Sequence, residues 1–284
     1  MTAILTFGRT GQVATELRTL ADVLALGRAE VDLSDPAACA AAIHAQRPRA
    51  VINAAAYTAV DRAEDEEALA TVINGDAPAA MAQACAALNI PLVHISTDYV
   101  FAGTGTRAWA PDDNTAPQNA YGRSKLAGER GIRAAGGTHA ILRTSWVFSA
   151  HSSNFSKTML RLSESRDELS VVDDQIGGPT SARAIAAACL SIAQQLCDDP
   201  DKTGTYHFSG APVVSWCAFA REIFAQTGRT RRVSPIATRD YPTPAARPLN
   251  SRLNCQTTEQ VFGIPRPDWR IGLAETVREL GITT

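Results

Sequence analysis

The first half of the chain alternates short apolar runs with longer segments of helical character. The apolar runs occupy residues 3–7, 22–26, 50–56, 91–96 and 139–148. Nearly continuous apolar runs of this length are typical of strands buried on both faces. The segments between them include "GQVATELRTL", "DPAACAAAIHAQ", "APAAMAQACAALN" and "YGRSKLAGERGIRAAG", which have helical composition. The alternation predicts an α/β fold with a doubly wound parallel sheet of right-handed βαβ units.

After residue 150 the alternation loosens. Helices are predicted at about 154–166 and 181–197, and short strands in "LSVVDDQ" and "TYHFSG", before a Pro- and Arg-rich stretch, "RDYPTPAARPLNSRLN". No flexible linker marks a boundary. We therefore expect a first domain over 1–150 and a smaller, interleaved lobe over 151–284, some of whose segments return to the first domain.

Composition and charge narrow the range of partners. Lys and Arg total 27 and Asp and Glu 29 in 284 residues, a net charge of −2, so no basic surplus favours nucleic acid or an anionic membrane. The start lacks the pattern of a signal peptide, and no apolar run approaches the roughly 20 residues that span a bilayer. The six cysteines show no C-x-x-C spacing and are expected to be reduced and structural. These features favour a cytoplasmic location.

A glycine-containing loop follows the first predicted strand. In "FGRTGQVA", Gly8 and Gly11 precede a helix, and Ala14 is small enough for close helix packing. Unpaired N–H groups at a helix N-terminus attract a pyrophosphate, and glycines let it approach the backbone. Such glycines also occur in ordinary turns. Their place after the first strand favours a dinucleotide site of the Rossmann type.

The end of the second predicted strand suggests which dinucleotide binds. A NAD-preferring site usually has an acidic residue there, but this chain has Gly27 and Arg28. Together with Arg9, Arg28 offers guanidinium groups for a 2′-phosphate, which predicts NADPH with NADH as the alternative. Taken separately, each arginine is more readily explained as a solvated surface charge. Asp32 and Leu33 are expected at the edge of the adenine ring.

Tyr121 and Lys125 form a Y-x-x-x-K pair on one face of a predicted helix. A nearby ammonium is expected to lower the phenol's pKa from about 10 and so assist proton transfer. In "STDYVF", at the end of a predicted strand, Thr97 is the proposed hydroxyl that orients a carbonyl, and Ser96 is the alternative. Y-x-x-x-K alone also occurs by chance on surface helices. A glycine loop, a strand-end hydroxyl and a Y-x-x-x-K pair follow one another in this order. The order resembles the pattern of the extended short-chain dehydrogenase/reductase family.

Further motifs resemble the dTDP-4-dehydrorhamnose reductases within that family. They cover nearly the whole chain: "NAAAYTAVDRAE", "STDYVFAGTG", "NAYGRSKLAGE", "RTSWVF", "NFSKTMLRL", "DDQIGGPT" and "PTPAARPLNSRL". The resemblance implies reduction of a sugar nucleotide's 4-keto group by NADPH or NADH, with Thr97, Tyr121 and Lys125 as the catalytic set. It also implies contacts of Asp98 and Trp146 with the deoxysugar, and Arg247 suits the diphosphate. The implied cofactor contacts, with the loop residues proposed above, are Gly8, Arg9, Thr10, Gly11, Gln12, Val13, Arg28, Asp32, Leu33, Ala56, Tyr57, Thr58, Tyr121 and Lys125.

Two other functions and one departure follow from the resemblance. Reduction of another dTDP-4-keto-6-deoxyhexose fits the same motifs, and regulatory subunits of methionine adenosyltransferase share the fold and bind NADP without this chemistry.

Some relatives form a dimer bridged by Mg²⁺ through three glutamates. Glu16 and Glu279 match two of them, but Arg183 stands at the third position and cannot ligate a cation. We therefore predict no metal, Arg183 paired with Glu16 or Glu279, and at most a homodimer without a metal bridge.

Overall fold

The computed structural model describes residues 4–282. The principal helices are α1 Gln12–Leu20, α2 Pro36–Gln46, α3 Glu67–Thr71, α4 Ala77–Leu88, α5 Ala120–Ala135, α6 Phe155–Leu162, α7 Ala182–Asp198, α8 Trp216–Gln226, α9 Gln256–Phe262 and α10 Trp269–Glu279. The strands are β1 Ile4–Phe7, β2 Val23–Leu26, β3 Ala50–Asn53, β4 Leu92–Thr97, β5 His139–Thr144, β6 Val147–Phe148, β7 Glu168–Val172, β8 Ile176–Gly177, β9 Thr180–Ser181, β10 Gly204–His207, β11 Val214–Ser215, β12 Arg232–Ile236 and β13 Asn250–Ser251.

The main sheet has six parallel strands in the order β10-β5-β4-β3-β1-β2. The chain leaves β1 first toward β2 and then toward β3, so the strand order reverses between β1 and β3. Ligands of doubly wound sheets bind at the carboxyl ends of the strands beside such a reversal. The predicted Rossmann-type fold is confirmed. The predicted run at 50–56 is too long, since β3 ends at Asn53, and the run at 139–148 divides into β5 and β6.

Alternate side chains of the strands build two separate apolar layers. Ala50 and Ile52 of β3 point to one layer, which α1, α7 and α9 cover. Val51 points to the other layer, which α2, α4 and α5 cover. Because α7 and β10 belong to the main sheet's packing, the chain returns to it after residue 150.

A smaller lobe sits on its own apolar cluster. Phe219 and Trp269 lie at its centre, where α8 and α10 pack together with α6 and with β7 and β12. The parallel pairing of β7 with β12 was not predicted, since residues 232–236 carry an arginine and a proline. None of the helices within residues 4–282 is both long enough and apolar enough to cross a membrane.

Candidate active site

Thr97 ends β4, and Tyr121 and Lys125 lie in the first turns of α5 beside it. The helix begins where the Asn119 side chain accepts a hydrogen bond from the Gly122 N–H at 2.7 Å. A Cβ atom on Gly122 would lie 2.3 Å from the Tyr99 carbonyl oxygen, so only glycine lets the helix come this close to the strand end. The Tyr121 ring then packs edge-on against Tyr99, with 5.5 Å between the ring centroids.

The two candidate hydroxyls of "STDYVF" have different partners. The Ser96 hydroxyl donates to Glu129 Oε1 at 2.6 Å, and Glu129 is also bound by Arg143 at 2.7 and 2.8 Å. Ser96 is therefore part of a buried ion-pair network. Thr97 Oγ1 has a 3.2 Å hydrogen bond to Asp98 Oδ1 and another of the same length from the Tyr99 N–H, and it also lies beside the Tyr121 phenol. This difference favours Thr97 over Ser96 as the group that orients a substrate.

The expected lowering of the Tyr121 pKa below its ordinary value is wrong for this arrangement. Burial raises the pKa of Tyr121 to about 12, and the Thr97 hydroxyl opposes the rise. The Lys125 amine turns toward β4, where it lies 2.8 Å from the Ile95 carbonyl and 3.1 Å from His94 Nε2. Its hydrogen bonds go to the strand and not to the phenol, and burial dominates the shift of the Tyr121 pKa.

The glycine loop lies between the sheet and the smaller lobe. Gly8 has φ 109°, a conformation that suits glycine, and its N–H donates to the Leu26 carbonyl at 2.8 Å. Gly11 caps the N-terminus of α1 with extended backbone. Arg9, Thr10 and Gly11 are exposed, Gln12 is half-buried and Val13 is buried in the core. The loop therefore presents a helix N-terminus and accessible backbone, which fit a phosphate.

The smaller lobe contacts the glycine loop through residues 149–154. Gln12 Oε1 accepts hydrogen bonds from Ser149 Oγ at 2.9 Å and Asn154 Nδ2 at 3.0 Å. The Ser152 hydroxyl donates to the Thr10 carbonyl at 3.0 Å. These contacts fix the loop from the side opposite the sheet.

Both arginines proposed for a 2′-phosphate are paired with carboxylates, which the sequence did not indicate. Arg9 is bound by Glu30, whose other oxygen accepts the Gly27 N–H at 2.9 Å. Arg28 Nε lies 3.0 Å from Asp32 Oδ2. Both pairs are exposed, so their strength is modest and a phosphate can compete for them.

The residues expected near the adenine ring divide between surface and core. The Asp32 carboxylate is partly exposed, and the Ser34 N–H lowers its pKa. Leu33 is buried in the apolar layer that α2 and α4 cover, so its side chain serves the core. The place of Leu33 beside the adenine ring stays a prediction.

Residues 56–58 follow β3 at the carboxyl edge of the sheet. Asn74 holds this segment, since its Oδ1 accepts the Tyr57 N–H at 2.8 Å and its Nδ2 donates to the Tyr57 carbonyl at 3.0 Å. The Tyr57 hydroxyl donates to Glu66 at 2.6 Å. Ala56 is half-buried and Thr58 exposed on the same stretch.

The proposed substrate residues include two with unsatisfied buried polar atoms. Burial raises the pKa of Asp98 to about 6 against the effect of the nearby Ser251 and Thr97 hydroxyls, and its Oδ2 has no partner in hydrogen-bond geometry among residues 4–282. Arg247 Nη2 donates to Asp61 Oδ2 at 2.7 Å, but its buried Nη1 lacks a partner within the same described range. Buried polar atoms without partners are rare, and both atoms suit a polar ligand.

Trp146 stands beside this region in a strained conformation. Its φ is 52°, which is unusual for a bulky residue. Its ring stacks on Trp216 of the smaller lobe with 3.6 Å between centroids, and Phe155 lies 4.4 Å from Trp216. The aromatic stack holds the strained tryptophan in place and offers an apolar wall.

An ionic cluster joins α1, α7 and α10. Arg183 Nη1 lies 3.4 Å from Glu16 Oε2, which confirms the predicted pairing. His151, for which no local pattern predicts a place here, lies 3.4 Å from Glu16 Oε1 and 3.2 Å from Glu279 Oε1. The three metal-capable groups are within 4.8 Å of one another, with the Arg183 guanidinium against Glu16. The absence of a metal bridge stays a prediction.

Comparison with known proteins identifies the family. The model of the RmlD substrate binding domain family matches residues 1–282. The chain belongs to this family. A dTDP-4-dehydrorhamnose reductase of Sinorhizobium fredii is 44% identical over 272 residues and 92% of each chain. The Escherichia coli K12 enzyme of the same name is 40% identical over 99% of each chain.

Solved structures of the family superpose closely on this fold. A dTDP-4-dehydrorhamnose reductase of Clostridium acetobutylicum has a TM-score of 0.91 at 35% identity and covers 98% of this chain and 99% of its own. The enzyme of Bacillus anthracis, solved in complex with NADP, also has a TM-score of 0.91, at 34% identity, with 98% and 100% covered.

Several residues around the site were missed by the sequence reasoning. Glu30 pairs with Arg9, and Trp216 supports Trp146. Asn53 and His94 lie behind Lys125. Glu30 is an acidic residue just after the second strand and could have been found there. The others have no local signal, because their partners are distant in sequence.

Proposed function

We propose that this protein reduces the 4-keto group of dTDP-4-dehydro-L-rhamnose to a hydroxyl, giving dTDP-L-rhamnose. Its relatives at 40–44% identity over most of the chain are dTDP-4-dehydrorhamnose reductases. The observation that carries the proposal is that Thr97 and Tyr121 lie together at the carboxyl end of β4, on the edge of the sheet that also presents the glycine loop.

NADPH, with NADH as the alternative, would be held by residues of the first domain, 1–150, and the sugar mainly by the lobe over 151–284. The exposed loop from Arg9 to Gly11 and the N-terminus of α1 fit the pyrophosphate, and the B. anthracis relative was solved with NADP. When bound, the nicotinamide supplies the hydride that reduces C4 of the sugar.

Tyr121 is the proposed proton donor to the C4 oxygen. Because burial raises its pKa to about 12, the phenol keeps its proton at neutral pH until the far more basic alkoxide develops. The Thr97 hydroxyl, which lies beside the Tyr121 phenol and bonds Asp98, would orient the same oxygen. Lys125 lies four residues after Tyr121 on the same face of α5, where its amine would assist Tyr121.

The remaining proposed residues fit a deoxysugar diphosphate. The Trp146 ring would pack against the apolar face of the 6-deoxyhexose. The unpaired oxygen of Asp98 would bond a sugar hydroxyl, and the unpaired Nη1 of Arg247 would meet a phosphate oxygen.

The test is oxidation of NADPH in the presence of dTDP-4-dehydro-L-rhamnose, followed by absorbance, beside other dTDP-4-keto-6-deoxyhexoses. We expect turnover with dTDP-4-dehydro-L-rhamnose at the highest kcat/KM. Faster turnover of another sugar would reassign the substrate. Binding of NADPH with no turnover of any of them would identify a regulatory NADP-binding subunit instead.

A further inference from the structure

A chain of buried polar groups runs from the sheet to Lys125. Asn53 of β3 and His94 of β4 are direct neighbours in the strand register, and Asn53 Nδ2 lies 3.1 Å from His94 Nδ1. On the other side of the ring, His94 Nε2 lies 3.1 Å from Lys125 Nζ. The three residues are 1%, 1% and 2% exposed, so each polar atom depends on its protein partners.

The orientation of the Asn53 amide decides the first link of the chain. Its Oδ1 accepts the Ala55 N–H at 3.2 Å, and that backbone group can only donate. The Nδ2 group of Asn53 therefore faces His94 and donates to Nδ1. An imidazole nitrogen that accepts a hydrogen bond carries no proton, so in the neutral ring the proton is on Nε2.

The second link then runs from His94 to Lys125. Nε2–H donates, and an ammonium has no lone pair to accept it. Lys125 satisfies both contacts as a neutral amine, which accepts from His94 and donates to the Ile95 carbonyl at 2.8 Å. For a charged Lys125, the proton of His94 must be on Nδ1 and the Asn53 amide must turn over, which sets its Nδ2 group against the Ala55 N–H.

The surroundings bring the two protonation states of Lys125 close in free energy. Burial lowers the pKa of Lys125 to about 8, and the charge of Glu129 on the same helix opposes that shift. Glu129 is itself bound by Arg143 of β5, by Arg133 and by Ser96. Burial also lowers the pKa of His94 well below its ordinary value, and the charge of Lys125 lowers it further, so the ring is neutral in both states.

We propose that Asn53 and His94 are positioning residues that couple the charge of Lys125 to the tautomer of His94. With neutral Lys125, His94 carries its proton on Nε2; with charged Lys125, it carries it on Nδ1 and the Asn53 amide is reversed. The net change between the states is the uptake of one proton. The tautomer change does not depend on the proposed function. Its consequence for turnover does, because there Lys125 assists Tyr121.

Nitrogen NMR of the protein labelled with ¹⁵N-histidine tests the coupling directly. The chain has five histidines, and His94→Gln identifies the signals of His94 by their loss. We expect a neutral ring whose proton moves from Nδ1 to Nε2 as the pH rises through about 8, where Lys125 loses its proton. A single tautomer across this range, or a ring that becomes cationic in it, would overturn the proposal.

Asn53→Asp provides a second test, because both carboxylate oxygens accept. One can bond the Ala55 N–H while the other bonds His94 Nδ1–H, which favours the charged state of Lys125 and moves the tautomer change upward by about one pH unit or more. If Lys125 must be charged for turnover, the alkaline fall in kcat moves with it. An unmoved tautomer midpoint contradicts the coupling. A moved midpoint with an unmoved kcat profile contradicts only the role of Lys125 in the proposed reaction.

Discussion

At the scale of single residues, the site separates the group that gives the proton from the group whose charge varies. Tyr121 has a pKa raised to about 12 and Lys125 a pKa lowered to about 8, in both cases chiefly through burial. As the pH rises, Lys125 loses its proton first and the phenol only far above neutrality. An alkaline fall in turnover near pH 8 is therefore expected to report Lys125 and not Tyr121.

The role of Tyr121 can be isolated by removing its hydroxyl alone. We expect Tyr121→Phe to lower kcat by about 10²- to 10⁴-fold, the usual contribution of a general acid, while NADPH binding measured by fluorescence titration is retained. Tyr241→Phe is the matched control, since that ring is 59% exposed. A Tyr121→Phe enzyme with kcat close to that of the wild type would remove Tyr121 from the mechanism.

At the scale of elements, the turn after β2 sets the charge that a cofactor's ribose would meet. Glu30 accepts from Gly27 and binds Arg9, so the turn presents a paired arginine and not a free one. This arrangement tolerates either cofactor: the carboxylate can accept ribose hydroxyls, and Arg9 can leave Glu30 for a 2′-phosphate. The sequence indicated the two arginines but not their partners, because pairing depends on how the turn closes.

Glu30→Gln should shift the cofactor preference toward NADPH. The change removes the carboxylate that competes for Arg9, and an exposed pair of this kind is worth up to about 1 kcal/mol, or roughly fivefold. The measurement is the ratio of kcat/KM for NADPH to that for NADH, with Glu259→Gln as an exposed control on α9. A ratio that stays unchanged in Glu30→Gln would show that Arg9 does not bind the 2′-phosphate.

At the scale of the whole molecule, the features that the sequence predicted are those that depend on residues close together in the chain. The strand and helix alternation of the first half and the Tyr121–Lys125 spacing follow from neighbouring residues, and the structure confirms the fold they imply. The pairing of Asn53 with His94, the stack of Trp146 on Trp216 and the approach of His151 to Glu16 join residues 41 to 135 positions apart. They depend on strand register and on how the smaller lobe packs, which no local pattern encodes.

The proposed reaction adds hydride to C4 of the sugar nucleotide at the carboxyl edge of the main sheet. Its most direct measurement uses NADPH deuterated at the transferable position, with dTDP-4-dehydro-L-rhamnose as substrate and NMR of the product. We expect dTDP-L-rhamnose with one deuterium, bound to C4, for each NADPH oxidised. NADPH oxidised without deuterium at C4, or no product at all from protein that binds NADPH, would contradict it.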